Sequence, residues 1–325
     1  MTHVCLFSAP CAFMGDALRG APFEVRRHEA WSREDLRADP AVTAWITNTG
    51  WRFRLGAEDL ALFPSLRVVV TPSTGSDHID VDLLRERGIR FFSLLDDRAG
   101  LESISASAEF AFLLLLNTLR RLPHAVEFAR KGGWRRDDED GLRGRELQGR
   151  CVGMVGMGRI GRRLSRYCES FGASTAWFDP YVQRAAGERC ATLAELFSRS
   201  DCVVVCCSLT PETHGMIGGD LVRMLPIGAT LVNISRGEVL DEQGVADALR
   251  AREDVAVGLD VLSGEPQGRQ FESPLVALAG RGRVVVTPHI GGSTVESQTK
   301  AARIALGLVA RALGCGDAPP GHDAR

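Results

Sequence analysis

Three side chains that could handle a carboxylate and a proton each follow closely on an apolar run. Arg236 follows Leu231-Val232-Asn233-Ile234-Ser235, Glu265 comes after Gly258-Leu259-Asp260-Val261, and His289 comes after Val284-Val285-Val286-Thr287-Pro288. An arginine can grip a carboxylate with two parallel hydrogen bonds and polarise a carbonyl beside it. A histidine can give that carbonyl oxygen a proton, and a carboxylate can orient the histidine and raise its pKa so that it is charged near neutrality. Taken singly, Arg236 or Glu265 reads as a turn residue and His289 as a satisfied loop histidine. Together they are the parts needed to reduce a 2-oxo acid, provided a hydride source is bound nearby.

That source has its own motif. Cys151-Val152-Gly153-Met154-Val155 is an apolar run leading into Gly156-Met157-Gly158-Arg159-Ile160-Gly161, a Gly-x-Gly-x-x-Gly loop, and Arg162 to Ser170 has the pattern of the helix that follows. Gly156 allows the tight turn, Gly158 lets the backbone approach a pyrophosphate, and Gly161 lets helix and strand pack closely. The helix N-terminus then offers free N–H groups and its dipole to phosphates. The next apolar run ends at Asp179, eighteen residues past Gly161, close to the ~20 expected for the acid that accepts the adenosine ribose hydroxyls. Its carboxylate would repel a 2′-phosphate, so the expected cofactor is NAD rather than NADP, with Arg184 the nearby residue that would favour NADP.

Such groups need elements that bring them together. Short apolar runs alternate with helical patterns along most of the chain, the signature of βα units and parallel sheets buried on both faces, so the fold class is α/β. Strands are expected at Val4 to Phe7, Ala44 to Thr47, Val68 to Thr71, Cys151 to Val155, Ser174 to Phe178, Cys202 to Cys207, Thr230 to Ile234, Val255 to Leu259 and Val284 to Thr287. In such sheets ligands bind outside the carboxyl ends of the strands, where Arg236, Glu265 and His289 fall. The first ~100 residues lack a complete phosphate-binding fingerprint and a new βα series opens at Cys151, so two domains are expected. An apolar helix, Ser105 to Leu122, lies between them. The polar passage Lys131 to Gly149 reads as a solvated loop, with an arm packing on a second subunit as the alternative. A last helix runs to about Leu313.

Composition narrows the partners. With 325 residues, 45% of them hydrophobic, the chain can bury two cores. Its 39 basic and 41 acidic side chains give a formal net charge of -2, which provides no excess positive field for nucleic acid. The nine cysteines show no paired zinc-type spacing, so no metal is expected and the thiols read as reduced and mostly buried. The apolar stretch Phe110 to Leu116 falls short of the ~20 residues a bilayer requires. Val4 to Met14 has no preceding Lys or Arg and is broken by Pro10, which fits a first strand better than a signal peptide. A cytoplasmic protein with no membrane partner is the expectation.

These segments in this order resemble the D-isomer-specific 2-hydroxyacid dehydrogenases, the family of D-3-phosphoglycerate, glyoxylate and D-lactate dehydrogenases. The resemblance covers nearly the whole chain. Ser73 to Asp80 resembles the substrate loop, Gly156 to Gly161 the cofactor loop, Leu209 to Thr213 the turn after the cysteine-rich strand, and Asn233 to Gly237, Gly258 to Pro266 and Pro288 to Gly292 the catalytic segments.

The resemblance implies a flavodoxin-like substrate domain at 1–98 and 293–314 and a Rossmann NAD-binding domain at 99–292; the tail at 315–325, rich in Gly, Pro and Asp, reads as disordered. The resemblance also implies Arg236 as the binder of substrate carboxylate and carbonyl, Glu265 as the histidine's partner and His289 as acid/base. Asp260 would meet the nicotinamide carboxamide. Arg159, Ile160, Cys207, Ser208, Ile234, Ser235, Gly291 and Gly292 would line the coenzyme, with Thr74 beside it. The backbone of Thr74, Gly75 and Ser76 would hold the substrate carboxylate, with Ser103 also facing substrate. A homodimer acting on a small 2-oxo or 2-hydroxy acid follows, with D stereochemistry. Arg52 is a candidate second anion contact, and Arg135 or Arg136 could reach across a dimer. Two departures stand out: Cys206-Cys207-Ser208 where relatives often have Pro or His, and Ser103 where phosphoglycerate-type relatives carry Asn. The alternatives are a formate- or phosphite-type dehydrogenase of the same superfamily and a non-catalytic NAD-sensing protein of the corepressor kind.

Overall fold

The structure, a computed structural model, describes residues 3–9, 18, 20–50, 53–134, 139–279 and 283–315, with 139 and 140 as backbone only. Arg52, Arg135, Arg136, Cys11 and the tail 316–325 lie outside the described residues. The chain divides into two compact units. The first comprises Met1–Ile104, Pro266–Gly268 and Ser293–Arg325, and the second comprises Ser105–Glu265 and Arg269–Gly292.

In the first unit five parallel strands, β1 (Val4–Phe7), β2 (Glu24–Arg27), β3 (Val42–Ile46), β4 (Val68–Val70) and β5 (Arg90–Phe92), lie in the order β2-β1-β3-β4-β5, the flavodoxin-like arrangement. Alternate side chains serve two cores. Cys5, Phe7, Ala44, Ile46, Val68 and Val70 face one, while Val4, Leu6, Val42, Trp45 and Val69 face the other. Burial on both sides is why these runs are apolar at successive positions rather than every second one. The helix Val295–Leu313 closes the first of these cores with Ala302, Ala305 and Val309. Thr294 caps it by accepting Ser297 N–H at 3.1 Å, and Gly314, at φ 71°, ends it in the left-handed conformation.

The second unit holds seven parallel strands: β6 (Cys151–Val155), β7 (Ser174–Phe178), β8 (Glu188–Arg189), β9 (Cys202–Val205), β10 (Thr230–Asn233), β11 (Ala256–Leu259) and β12 (Val284–Val286). Their order is β12-β11-β10-β9-β6-β7-β8. The direction of winding reverses between β6 and β9, so the loops leaving these two strands diverge and open a crevice at the carboxyl edge. Val203 and Val205 face one core, Cys202 and Val204 the other, all fully buried. Helix Ala106–Leu119 lies on the second face with Ala111, Leu114 and Leu115. It comes so close to β11 that a Cβ on Gly258 would stand 2.6 Å from Thr118 Oγ1.

Several expectations are corrected. The helical stretch Arg98–Leu119, 22 residues containing an 18-residue segment of mean hydropathy 1.5, is long and apolar enough to cross a bilayer by length and composition, unlike the shorter run read from sequence. It is two helices, Arg98–Glu102 and Ala106–Leu119, and Ala108, Ala111, Leu114, Leu115 and Leu119 spend its apolar face on the second unit's interior. A helix not anticipated, Leu122–Arg130, follows it. The polar passage expected as a loop contains one helical turn, Glu139–Leu142. Three strands were not anticipated: β2 and β8 are mostly polar and β5 offers only Phe91 and Phe92; all three lie at sheet edges, where side chains such as Glu24, Arg27, Arg90, Glu188 and Arg189 remain exposed.

Candidate active site

The glycine loop is shaped by contacts that differ at each glycine. Gly156 has φ +95°, and a Cβ there would lie 2.8 Å from the Cys207 backbone, because β9 stops at Val205 and Cys206-Cys207 cross over the loop. Gly161 packs on the Gly156 carbonyl, where a Cβ would come within 2.3 Å. Cys206 Sγ donates to that same carbonyl at 3.1 Å. Gly158 is different: a Cβ there meets nothing within 4 Å. The folded chain itself makes no demand for glycine at that position, and the demand fits a group bound against it. Helix Arg159–Ser170 begins at Gly158 with no side chain capping its N-terminus, so its first N–H groups suit phosphate oxygens. Asp179, leaving β7, accepts Met157 N–H at 2.9 Å on one oxygen and Tyr181 and Val182 N–H at 2.9 and 3.1 Å on the other. It therefore both shapes the turn after β7 and ties that turn to the glycine loop. These residues fit a dinucleotide: an uncapped helix start for the pyrophosphate, open space at Gly158 and a carboxylate at the end of β7.

Farther along the same carboxyl edge, Ile234 N–H still bonds Val205 O at 3.2 Å, and Ser235 Oγ bonds the Cys207 carbonyl at 2.5 Å. Ser208 is exposed, and its carbonyl accepts Thr213 Oγ1 at 2.8 Å. Buried Asn233 shapes the exit of β10 by accepting Ser235 N–H at 3.0 Å and donating to Arg236 O at 2.9 Å. The Arg236 guanidinium, half-buried, bonds the Ser235 carbonyl through Nη1 at 2.8 Å. Burial raises the Cys207 thiol to about 11, which keeps it protonated and unreactive beside the glycine loop.

At the ends of β11 and β12 one carboxylate organises the backbone. Asp260, 2% exposed, accepts Thr287 Oγ1 at 2.7 Å, Ile290 N–H at 3.0 Å and Gly291 N–H at 2.7 Å. Burial pushes its pKa up against the pull of those three donors. His289 N–H bonds Asp260 O at 2.8 Å, and the histidine sits at φ 53°, a left-handed conformation costing a non-glycine residue about 1–2 kcal/mol. Hydrogen bonds to a charged group contribute ~1.5–3 kcal/mol each, so the Asp260 set outweighs that strain. A Cβ on Gly291 would come 2.9 Å from Asp260 Oδ2 and press on the carboxylate that accepts its own N–H; Gly292 is exposed.

The strained backbone presents the imidazole to Glu265. His289 Nδ1 lies 2.5 Å from Glu265 Oε2, and Glu265 Oε1 accepts Leu262 N–H at 2.7 Å. Partial burial works against charging the ring, as does the Arg236 guanidinium. The hydrogen bond and negative charge of Glu265, helped by Asp260, prevail, and the His289 pKa is raised above its ordinary value of 6.5. With Nδ1 engaged, Nε2 is the nitrogen left to exchange a proton with a ligand, and the ring keeps 45% of its surface exposed.

The second unit thus gathers Gly156 to Gly161, Asp179, Cys207, Ile234 to Arg236, Asp260, Glu265 and His289 to Gly292 at one edge of one sheet. Thr74, Gly75, Ser76 and Ser103 belong to the first unit. There Ser73 Oγ donates to Gly75 O at 2.7 Å and Ile79 N–H bonds Ser76 O at 2.9 Å, which shapes the loop after β4, while Thr74 is exposed. Ser103 ends helix Arg98–Glu102 and donates its hydroxyl to Gly100 O at 2.7 Å. Among the described residues no cluster of three or more metal-ligating side chains occurs. Two acids at the site escaped the sequence reading: Glu238 and Glu242, which accept Gly264 and Ser263 N–H at 3.1 and 2.8 Å. Nothing distinguishes them in sequence from ordinary acids near a helix start.

A doubly wound parallel sheet with a glycine loop at its first strand and an acid–histidine pair at its far strands defines a dinucleotide-binding oxidoreductase fold. The comparisons with known proteins agree. Residues 112–291 match the family model described as D-isomer specific 2-hydroxyacid dehydrogenase, NAD binding domain. The chain is 37% identical over 290 residues to a D-3-phosphoglycerate dehydrogenase of Mycobacterium tuberculosis, covering 88% of this chain and 52% of that protein. It is 36% identical over 242 residues to a glyoxylate reductase/hydroxypyruvate reductase of Mus musculus, covering 72% and 70%. Among solved structures, an NADPH-dependent glyoxylate/hydroxypyruvate reductase of Sinorhizobium meliloti superposes with a TM-score of 0.80 at 26% identity over 99% of this chain and 98% of that one. The chain belongs to the D-isomer specific 2-hydroxyacid dehydrogenase family. It spans about half the length of the mycobacterial relatives.

Proposed function

We propose that the protein moves a hydride between NAD(H) and C2 of a small 2-hydroxy or 2-oxo acid, with D stereochemistry. The observation that carries this reading is the Glu265–His289 pair, held with Arg236 on the same sheet edge as the glycine loop. When bound, the nicotinamide supplies or accepts the hydride. Arg236 binds the substrate carboxylate and polarises the adjacent carbonyl. In the reductive direction His289 gives a proton from Nε2 to the C2 oxygen, while Glu265 keeps Nδ1–H bonded and stabilises the charged ring beforehand. In the oxidative direction the neutral ring takes the hydroxyl proton at Nε2. Asp260 fixes the backbone that aims the ring.

Thr74, Gly75, Ser76 and Ser103 enter the proposal as substrate contacts. Asp179 supports NAD over NADP, because a 2′-phosphate would face a carboxylate. A homodimer is proposed on the exposed Leu113, Leu122, Val126 and Trp134 of the helix pair and its exit, and a cytoplasmic location without nucleic-acid or membrane partners on the near-neutral charge.

The test is NADH oxidation with glyoxylate, pyruvate, hydroxypyruvate, oxaloacetate, phosphonopyruvate and 3-phosphohydroxypyruvate, with formate and phosphite assayed against NAD. Turnover of at least one 2-oxo acid, lost by ~10²–10⁴-fold in His289→Ala with NADH binding retained, is the expected result. Turnover confined to formate or phosphite, or unchanged by the substitution, would overturn it.

A further inference from the structure

Glu242 opens helix Glu242–Ala251 and is only 8% exposed, an unusual place for a carboxylate unless a donor meets it. The helix does not need Glu242 as its cap: Asp241 serves, accepting Gly244 N–H at 3.1 Å. The donor that meets Glu242 comes from another loop. Its Oε1 accepts the Ser263 N–H at 2.8 Å, and Glu238 Oε1 accepts the next N–H, from Gly264, at 3.1 Å. Just before Glu238, Gly237 lies directly on that loop, where a Cβ would come 2.0 Å from the Leu262 carbonyl carbon and Ser263 nitrogen. The segment that carries Arg236 therefore grips the segment that carries Glu265. Three successive N–H groups, of Leu262, Ser263 and Gly264, end on three different glutamates, Glu265, Glu242 and Glu238.

We propose that Glu242, seconded by Glu238, is a positioning residue for the acid/base pair: by fixing the Leu262–Gly264 backbone it sets Glu265 where one oxygen meets Leu262 N–H and the other meets His289 Nδ1. The proposal rests on the reading of His289 as acid/base. The charged groups that face His289 are Glu265, Arg236 and Asp260, and Glu242 is not among them. Its influence passes through the geometry of Glu265. An amide oxygen can accept the Ser263 N–H as a carboxylate does, so Glu242→Gln preserves the arrangement and Glu242→Ala releases it.

The experiment is an NMR titration of His289 in the full ligand-free chain, with histidine isotopically labelled and His289→Ala used for assignment. It is paired with the pH profile of kcat for whichever 2-oxo acid wild type reduces fastest. Glu242→Ala is expected to move the His289 midpoint to lower pH and to lower kcat on the alkaline side of neutrality by roughly tenfold, with the KM for NADH unchanged. Glu242→Gln is expected to match wild type in both. Glu242→Asp keeps the charge but shortens the reach by one methylene, and it should shift the midpoint in the same direction as alanine even if the alanine variant fails to fold. A His289 titration unmoved in Glu242→Asp or Glu242→Ala, or moved as far in Glu242→Gln, overturns the proposal. A midpoint that moves while the kcat profile stays fixed leaves the positioning role standing and removes His289 from the chemistry.

Discussion

His289 Nδ1 and Glu265 Oε2 are 2.5 Å apart, with the histidine backbone at φ 53° and the carboxylate's other oxygen fixed on Leu262 N–H. Both partners are thus anchored through the backbone. The sign of the coupling is set: Glu265 raises the His289 pKa, so the ring stays charged to a higher pH than a free histidine.

Replacing Glu265 by Gln removes the charge and keeps the shape. Reduction needs the protonated ring, so its rate falls as pH rises through the His289 pKa; oxidation needs the neutral ring and rises over the same range. In Glu265→Gln the fall in reductive kcat/KM should move to lower pH, the direction in which Glu265 no longer opposes burial and Arg236. Profiles of wild type and variant in both directions check this, and an unmoved alkaline limb would deny the pair its role.

Two glycines three residues apart should respond in opposite ways. Gly158→Ala adds a methyl to open space at an ordinary φ of -77°, so stability should change by no more than about 0.5 kcal/mol while NADH affinity drops by roughly tenfold or more. Gly161→Ala drives a Cβ to 2.3 Å from the Gly156 carbonyl and should cost about 1–3 kcal/mol of stability. Thermal melts with and without NADH separate the two. Equal destabilisation by both would mean that Gly158 serves the fold rather than a ligand.

Asp179 holds Met157 N–H on one oxygen and two turn N–H groups on the other. Asp179→Ala should therefore weaken NADH binding and, by removing the charge that repels a 2′-phosphate, shift the ratio of kcat/KM for NADH over NADPH toward NADPH by about tenfold or more. A ratio left where it was, or a wild type that prefers NADPH, would place coenzyme choice elsewhere.

Arg236→Lys keeps a positive charge but loses the planar fork. The expected outcome is a loss in kcat/KM for the 2-oxo acid of ~10²-fold with NADH affinity within twofold, measured by steady-state kinetics and NADH fluorescence. A lysine variant as active as wild type would mean the charge alone suffices.

Sequence carried the strands whose burial on both faces makes them apolar, β1, β3, β4, β6, β7, β9, β10, β11 and β12, and with them the positions at which polar side chains leave the sheet. It carried the glycine loop because Gly156 and Gly161 answer demands of the backbone and the Gly-x-Gly-x-x-Gly spacing marks Gly158 as the point where a pyrophosphate approaches. Three of the four edge strands were illegible: β2 and β8 are mostly polar and exposed, and β5 offers only Phe91 and Phe92, a run too short to stand out, whereas the fourth, β12, is an unbroken run of valines. The hold of Glu242 and Glu238 on Ser263 and Gly264 was also hidden. Those bonds join loops from two adjacent strands some twenty residues apart in sequence, and the acceptors look like any acids around a helix start. The left-handed backbone of His289 gave no sign either: histidine visits that conformation more often than most residues, but it is the Asp260 bonds to the N–H groups after it that hold it there.

Hydride transfer at C2 can be followed by isotope. NADH deuterated at nicotinamide C4 in the transferring position, supplied with the 2-oxo acid reduced fastest, should yield a D-2-hydroxy acid carrying one deuterium at C2, read by mass spectrometry and chiral chromatography. An L product, a C2 carrying no deuterium, or no reduction of any 2-oxo acid would contradict it.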